Sequence, residues 1–222
     1  MSPTRRSPSE RVRVRRVPKR AAYDRATIDA ILDAGLVAHL GFVVDGQPYV
    51  IPTLHARVGD DVLVHGSPAS RAMRALAEGA PVCLTVTLTD GLVLARSVFH
   101  HSVNYRSVVL IGRATPVREV AARRAALEAF TERIAPGRWA EVRPPSAKEL
   151  RATAVLRIPI DEASAKLRSG PPGDDPEDVR LPAWAGVIPL ALRAGPVEPA
   201  PDLAPGTELS PSVRRLLERF GR

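Results

Sequence analysis

The stretch VAHLGFVVDGQPYVIPTLHARV, residues 37–58, constrains the fold more than any other. Two apolar runs rich in β-branched residues flank one Asp45-Gly46 pair. Asp-Gly supplies the positive-φ residues that a two-residue hairpin turn demands, so the two runs are antiparallel neighbours. The rhythm continues downstream. An acidic turn, GDD, leads into VLVHG; a short helix over 70–78 follows; PVCLTVTLT, GLVLARSVF and RSVVLIGRATPV then read as three further strands, and ATAVLRIPID as the last. Hairpins with brief interruptions predict a mainly β chain with flanking helices, closed as a small antiparallel barrel. The regular strand–helix alternation of a parallel doubly wound sheet is missing.

Two helices flank this β region. In YDRATIDAILDAG, Asp24 is positioned as an N-cap, Ile28, Ile31 and Leu32 share a face, and Gly35 ends the run. Residues 121–134 carry Leu127, Phe130 and Ile134 on one side. The Pro-, Gly- and Asp-rich RSGPPGDDPEDVRLPAWAGVIPL reads as a long excursion or flap. Residues 191–222 read as a proline-rich linker and a terminal helix, SVRRLLERFGR.

Charge divides the chain unevenly. The net charge is +8, but residues 1–20 hold eight Lys/Arg and one Glu, leaving the other 202 residues nearly neutral. The basicity belongs to a tail expected to be solvated and disordered, able to attract nucleic acid only nonspecifically. The single cysteine, Cys83, excludes an intrachain disulfide and is expected to be a buried structural thiol. No apolar run approaches the ~20 residues of a membrane-spanning helix, and the basic N-terminus lacks an apolar signal region, so a cytoplasmic protein is expected.

The chemistry-bearing residues fall in two places. VLVHGSPASRAMRAL runs from a strand through a Gly-Ser-Pro turn into a helix. There the hydroxyls of Ser67 and Ser70 and the guanidinium of Arg71 can complete a phosphate cradle. A Ser-capped helix with a solvated arginine would give the same pattern. LARSVFHHSVNYRSVVLIGRATPV then places Ser102, Asn104, Tyr105, Arg106 and Ser107 on a strand expected to lie near the first cluster, suiting a ligand with a phosphate and a flat hydrogen-bonding ring. His100 and His101 do not make a metal site, because adjacent strand side chains point to opposite faces and no CxxC or HExxH spacing accompanies them. GxSxG, P-loop and GxGxxG motifs are missing as well.

These two segments, in this order, resemble the pyridoxamine 5'-phosphate oxidase-like split-barrel flavoproteins. The nearest branch is the flavin-nucleotide-binding proteins related to nitroimidazole-resistance reductases, and LRSGPPGDDPEDVRLPAWAGVIPL resembles that branch's C-terminal flap. The likeness spans about residues 23–190. It implies a six-stranded antiparallel split barrel over 21–190, a homodimer, and FMN in a cleft between subunits. Carried over by the resemblance, His65, Ser67, Ser70 and Arg71 lie near the phosphate and ribityl chain. Ser102, Asn104, Tyr105, Arg106 and Ser107 surround the flavin, Pro52 and Thr53 lie along the ring edge, and Lys166, Arg168 and Trp184 of the flap stand nearby. The implied activity is flavin-dependent oxidoreduction of a small molecule; the alternative is a non-catalytic flavin- or haem-binding or sensing module. A histidine, His100 or His101, could donate a proton beside a flavin or serve only as a hydrogen-bonded structural residue. The basic C-terminal substrate signature of the true pyridoxamine phosphate oxidase is not found, so vitamin B6 oxidation is not implied.

Overall fold

The computed structural model describes residues 9–221. A short β1 (Ala21–Ala22) precedes α1 (Arg25–Ala34), β2 (Val37–Val44), β3 (Gln47–Val58) and β4 (Asp61–Gly66). Then come α2 (Arg71–Ala77), β5 (Pro81–Leu94), β6 (Ser102–Arg113), β7 (Thr115–Pro116), α3 (Val120–Ile134) and α4 (Ala147–Ala152). The chain ends with β8 (Ala154–Pro159), β9 (Ala163–Arg168), β10 (Gly186–Pro189) and α5 (Pro211–Phe220). The strands run in the order β1-β9-β6-β5-β2-β3-β4-β8-β7, with β10 on β5, and every pairing is antiparallel.

Two features make the sheet a split barrel. Gln47–Leu54 of β3 pairs with β2, whereas His55–Val58 pairs with β4, so this strand turns the corner between two sheets. The consecutive strands β8 and β9 then part company, β8 pairing with β4 and β9 with β6. Between the two sheets lies one core, in which Leu32, Leu40, Val62, Leu76, Leu84, Leu110 and Ile158 are almost fully buried.

The hairpin and caps form as the sequence requires. Asp45 and Gly46 take φ of 50° and 78°, the left-handed pair of a type I′ turn. Asp24 caps α1 by accepting from the Thr27 amide at 2.9 Å. Gly35 ends that helix where a Cβ would collide with Val86, so α1 can approach β5 only with glycine there.

Other expectations are corrected. PVCLTVTLT and GLVLARSVF are one 14-residue strand, β5, whose register shifts between Thr89 and Gly91. Asp90-Gly91 is thus a bulge rather than a turn: one extra residue bends the strand without ending its pairing. ATAVLRIPID is not the last strand, because β9 and β10 follow; with the two-residue β1 and β7 the described residues hold ten strands in all. Cys83 is half-buried, since alternation along β5 turns it outward from between Val82 and Leu84.

Of the basic segment, residues 1–8 lie outside the described residues, while residues 9–20 are docked rather than free. Val12 is buried, Arg11 pairs with Glu162 at 2.7 Å, and the Val14 amide donates to the Tyr23 hydroxyl at 2.9 Å. Val12 anchors this segment of turns, and most of its arginines stay in solvent. At the other end, the Ser212 amide and hydroxyl donate to the Glu141 carboxylate and dock α5. Those donors push the Glu141 carboxyl down to about 2. No helix among the described residues is long and apolar enough to cross a membrane.

Candidate functional site

The first cluster forms where β3, β4 and α2 meet. β4 ends in His65 and Gly66, and the chain turns through Ser67 and Pro68 into α2. The Ser67 hydroxyl accepts from the Ala69 amide at 3.3 Å, and Ser70 caps the helix by accepting from the Met73 amide at 3.3 Å. Both hydroxyl protons are therefore uncommitted among the described residues. Arg71 is exposed and lies 4.5 Å over the ring of Tyr49, with no carboxylate in ion-pair reach among the described residues. Beside Tyr49, the β3 strand presents Val50, Ile51 and Pro52 at the surface, with Thr53 half-buried. Pro52 stands opposite His39 of β2.

His65 faces elsewhere. Its ring lies 4.3 Å from that of Phe130 and borders a cavity of about 470 Å³ lined also by Leu54, Leu127, Ile134, Trp139 and Val142. Burial lowers the histidine's pKa and holds the imidazole neutral, and Nδ1 is buried without a partner among the described residues.

The second cluster, on β6, does not adjoin the first. β5 and β2 stand between β6 and β3 in the sheet, so Ser102–Ser107 and Ser67–Arg71 remain separate groups within one chain. Several of its members are engaged. Arg106 makes a bidentate pair with Asp90 at 2.7 and 2.9 Å, which raises its pKa. Asn104 donates to the Gly170 carbonyl at 3.1 Å and accepts from Arg168, which also donates to the Pro171 carbonyl at 3.2 Å. Ser107 donates to the Lys166 carbonyl at 3.3 Å, leaving the Lys166 ammonium with no carboxylate partner among the described residues. Tyr105 pairs across to Thr89 and Arg168, and Ser102 to Val93. Trp184 is 65% exposed, its ring against Gly186.

Of the paired histidines, His100 reaches the flap and His101 bonds within its own segment. His101 Nδ1 accepts from the Ala95 amide at 2.9 Å, and His100 Nε2 contacts Asp175 at 3.1 Å. Beside them Arg96 donates to Asp174 from its amide (2.8 Å) and its guanidinium (2.6 Å). These donors, the amide foremost, lower the Asp174 pKa. The described residues contain no group of three or more metal-ligating side chains. Sequence reading missed Asp90, Asp174 and Asp175, because each pairs with a residue from a remote or bulged segment that no local motif announces.

The sequence profile described as pyridoxamine 5'-phosphate oxidase matches residues 24–167, and the match covers both clusters. The chain belongs to that family. Among solved structures, it resembles the flavocytochrome Anf3 from Azotobacter vinelandii at 45% identity, covering 94% of this chain and 97% of that one with a TM-score of 0.89. It also resembles a FAD and haem binding protein from Mycobacterium smegmatis, at 44% identity over 88% of this chain and 96% of that one, with a TM-score of 0.85. A Bacteroides thetaiotaomicron protein described as conferring 5-nitroimidazole antibiotic resistance shares the fold at 20% identity and a TM-score of 0.57, over 66% of this chain and 85% of that one. No curated protein matches the sequence.

Proposed function

We propose that this chain is a flavin-dependent redox protein that also carries haem and works as a homodimer. The observation behind this reading is the near end-to-end likeness, at 44–45% identity, to a flavocytochrome and to a FAD and haem binding protein. Bound flavin supplies two-electron chemistry and haem iron supplies one-electron chemistry.

The residues present fit the flavin mononucleotide portion that FMN and FAD share. An exposed guanidinium without a carboxylate, Arg71, and two uncommitted hydroxyl protons, on Ser67 and Ser70, can hold a phosphate. The β3 residues Pro52 and Thr53 offer an edge for the ring. Ser107, Tyr105 and Lys166 of a second copy would complete the cleft, since β5 and β2 separate β6 from β3 within one chain. Asn104, Arg106 and Arg168 act by bracing the flap and the β5 bulge.

The residues also fit haem. A neutral imidazole is the protonation state that ligates iron, and His65 borders a mainly apolar cavity with aromatic side chains, which Thr131, Arg143 and Glu149 also line. His65 therefore takes the iron-ligand role rather than a place at the phosphate.

The test is the visible spectrum of the purified full chain, with mass identification of released chromophores. Flavin absorption together with a Soret band supports the reading. A colourless protein that takes up neither flavin nor haemin at tens of micromolar overturns it.

A further inference from the structure

A second cavity, about 540 Å³, lies among α2, the segment after β7, α3 and the α4–β8 junction. Arg74, Arg118, Arg123 and Arg151 line it, each from a different element, and Glu78 is the one carboxylate beside them. None of the four arginines has an ion-pair partner among the described residues. Arg123 donates to the Leu150 carbonyl at 3.0 Å, but its Nε is buried with no acceptor among the described residues. Met73, Val155 and Leu156 border the same cavity but are almost fully buried; Pro68, Pro116 and Val117 give it accessible apolar surface.

Four guanidinium groups in one concavity, against low-dielectric walls, concentrate positive potential and repel one another until an anion enters. Guanidinium forks match phosphate oxygens in pairs, and the apolar surface suits a flat base. The cavity also adjoins the first cluster through the chain: Pro68, which lines it, follows Ser67, and Arg74 is one helical turn beyond Arg71.

We infer that this cavity binds a phosphorylated adenosine, the far half of a dinucleotide flavin whose near phosphate is held by Ser67, Ser70 and Arg71. The flavin source rests on the function proposed above; the shared chemistry, a nucleotide phosphate with its base, does not.

Calorimetric titration of the full chain with FAD, FMN and ADP, wild type against Arg118→Glu/Arg151→Glu, tests it. Both side chains are exposed, and the neutral pair Arg118→Gln/Arg151→Gln serves if charge reversal disturbs folding. FAD affinity should fall at least about tenfold in the variant, the loss of one or more charge-assisted bonds, while FMN affinity stays within about twofold. ADP that binds wild type and is lost in the variant, with FAD and FMN unchanged, also supports the site and makes a free nucleotide its source. Unchanged binding of both FAD and ADP overturns the inference, as does equal loss of FAD and FMN without ADP binding. If wild type binds neither flavin, the flavin reading fails separately, and ADP binding alone decides the cavity.

Discussion

At the scale of single residues, Arg71 separates a ligand contact from a surface charge. If it holds a phosphate, Arg71→Ala removes a charge-assisted bond worth about 1.5–3 kcal/mol, a loss of about 10- to 150-fold in FMN affinity. Riboflavin lacks the phosphate, so its affinity should hold; equal losses for both ligands in fluorescence titrations would place Arg71 against the ring or the fold instead. His55 makes a different prediction. It is buried, its Nε2 bonds the Leu32 carbonyl at 2.9 Å, and desolvation lowers its pKa. A histidine held neutral in the fold protonates more readily when unfolded. Stability should therefore fall as pH drops below the ordinary value of 6.5, at no more than about 1.4 kcal/mol per pH unit for this group. Urea midpoints at pH 7 and pH 5 should converge in His55→Gln relative to wild type. The Ser70 cap was legible because a cap and its helix are neighbours in sequence. The arginines of the second cavity were not, because only the fold assembles them.

At the scale of elements, the segment from Leu94 to Val117 is less a pocket than a clasp. Its His100, Arg96 and Asn104 hold the flap, and β10 then adds to β5 in antiparallel register from Gly186–Leu94 to Pro189–Gly91. Asp174 is central: its side chain is 4% exposed and accepts from both ends of Arg96. Because these donors depress its pKa, the docking it provides is present above the ordinary aspartate value of 3.8 and is lost as pH falls below it. Asp174→Asn should raise hydrogen exchange across residues 170–189 several-fold at neutral pH, with little change in α1 or β2. Uniform acceleration throughout would show that the flap is not a separate unit. The strands and α1 were legible from their alternation and caps. The flap's attachment was not, since acidic residues in a Pro/Gly-rich run carry no periodicity to reveal their partners, and the β5 bulge at Asp90-Gly91 imitates a turn.

At the scale of the whole molecule, the unfinished part is an outer face of β2 and β3. Register places Val37 opposite Leu54 and Gly41 opposite Val50, and Val37, Val43, Val50 and Leu54 are 44, 50, 67 and 37% exposed. An apolar sheet face of this kind suits an interface, and the proposed homodimer would place a second copy on it. Val50 is the sharpest probe. Val50→Asp leaves the folded monomer's core untouched, because the side chain is already in solvent. In a symmetric dimer the substitution enters the interface twice, and each uncompensated buried carboxylate costs about 3–5 kcal/mol, so dissociation should strengthen by at least about 100-fold. Sedimentation should then report a monomer with an unchanged circular dichroism spectrum. If Ser107, Tyr105 and Lys166 of the second copy complete the cleft, flavin affinity should fall in the same variant even though Arg71 and β3 are intact. A Val50→Asp dimer would move the interface off this face, and a monomer that holds flavin as tightly as wild type would confine the binding site to one chain.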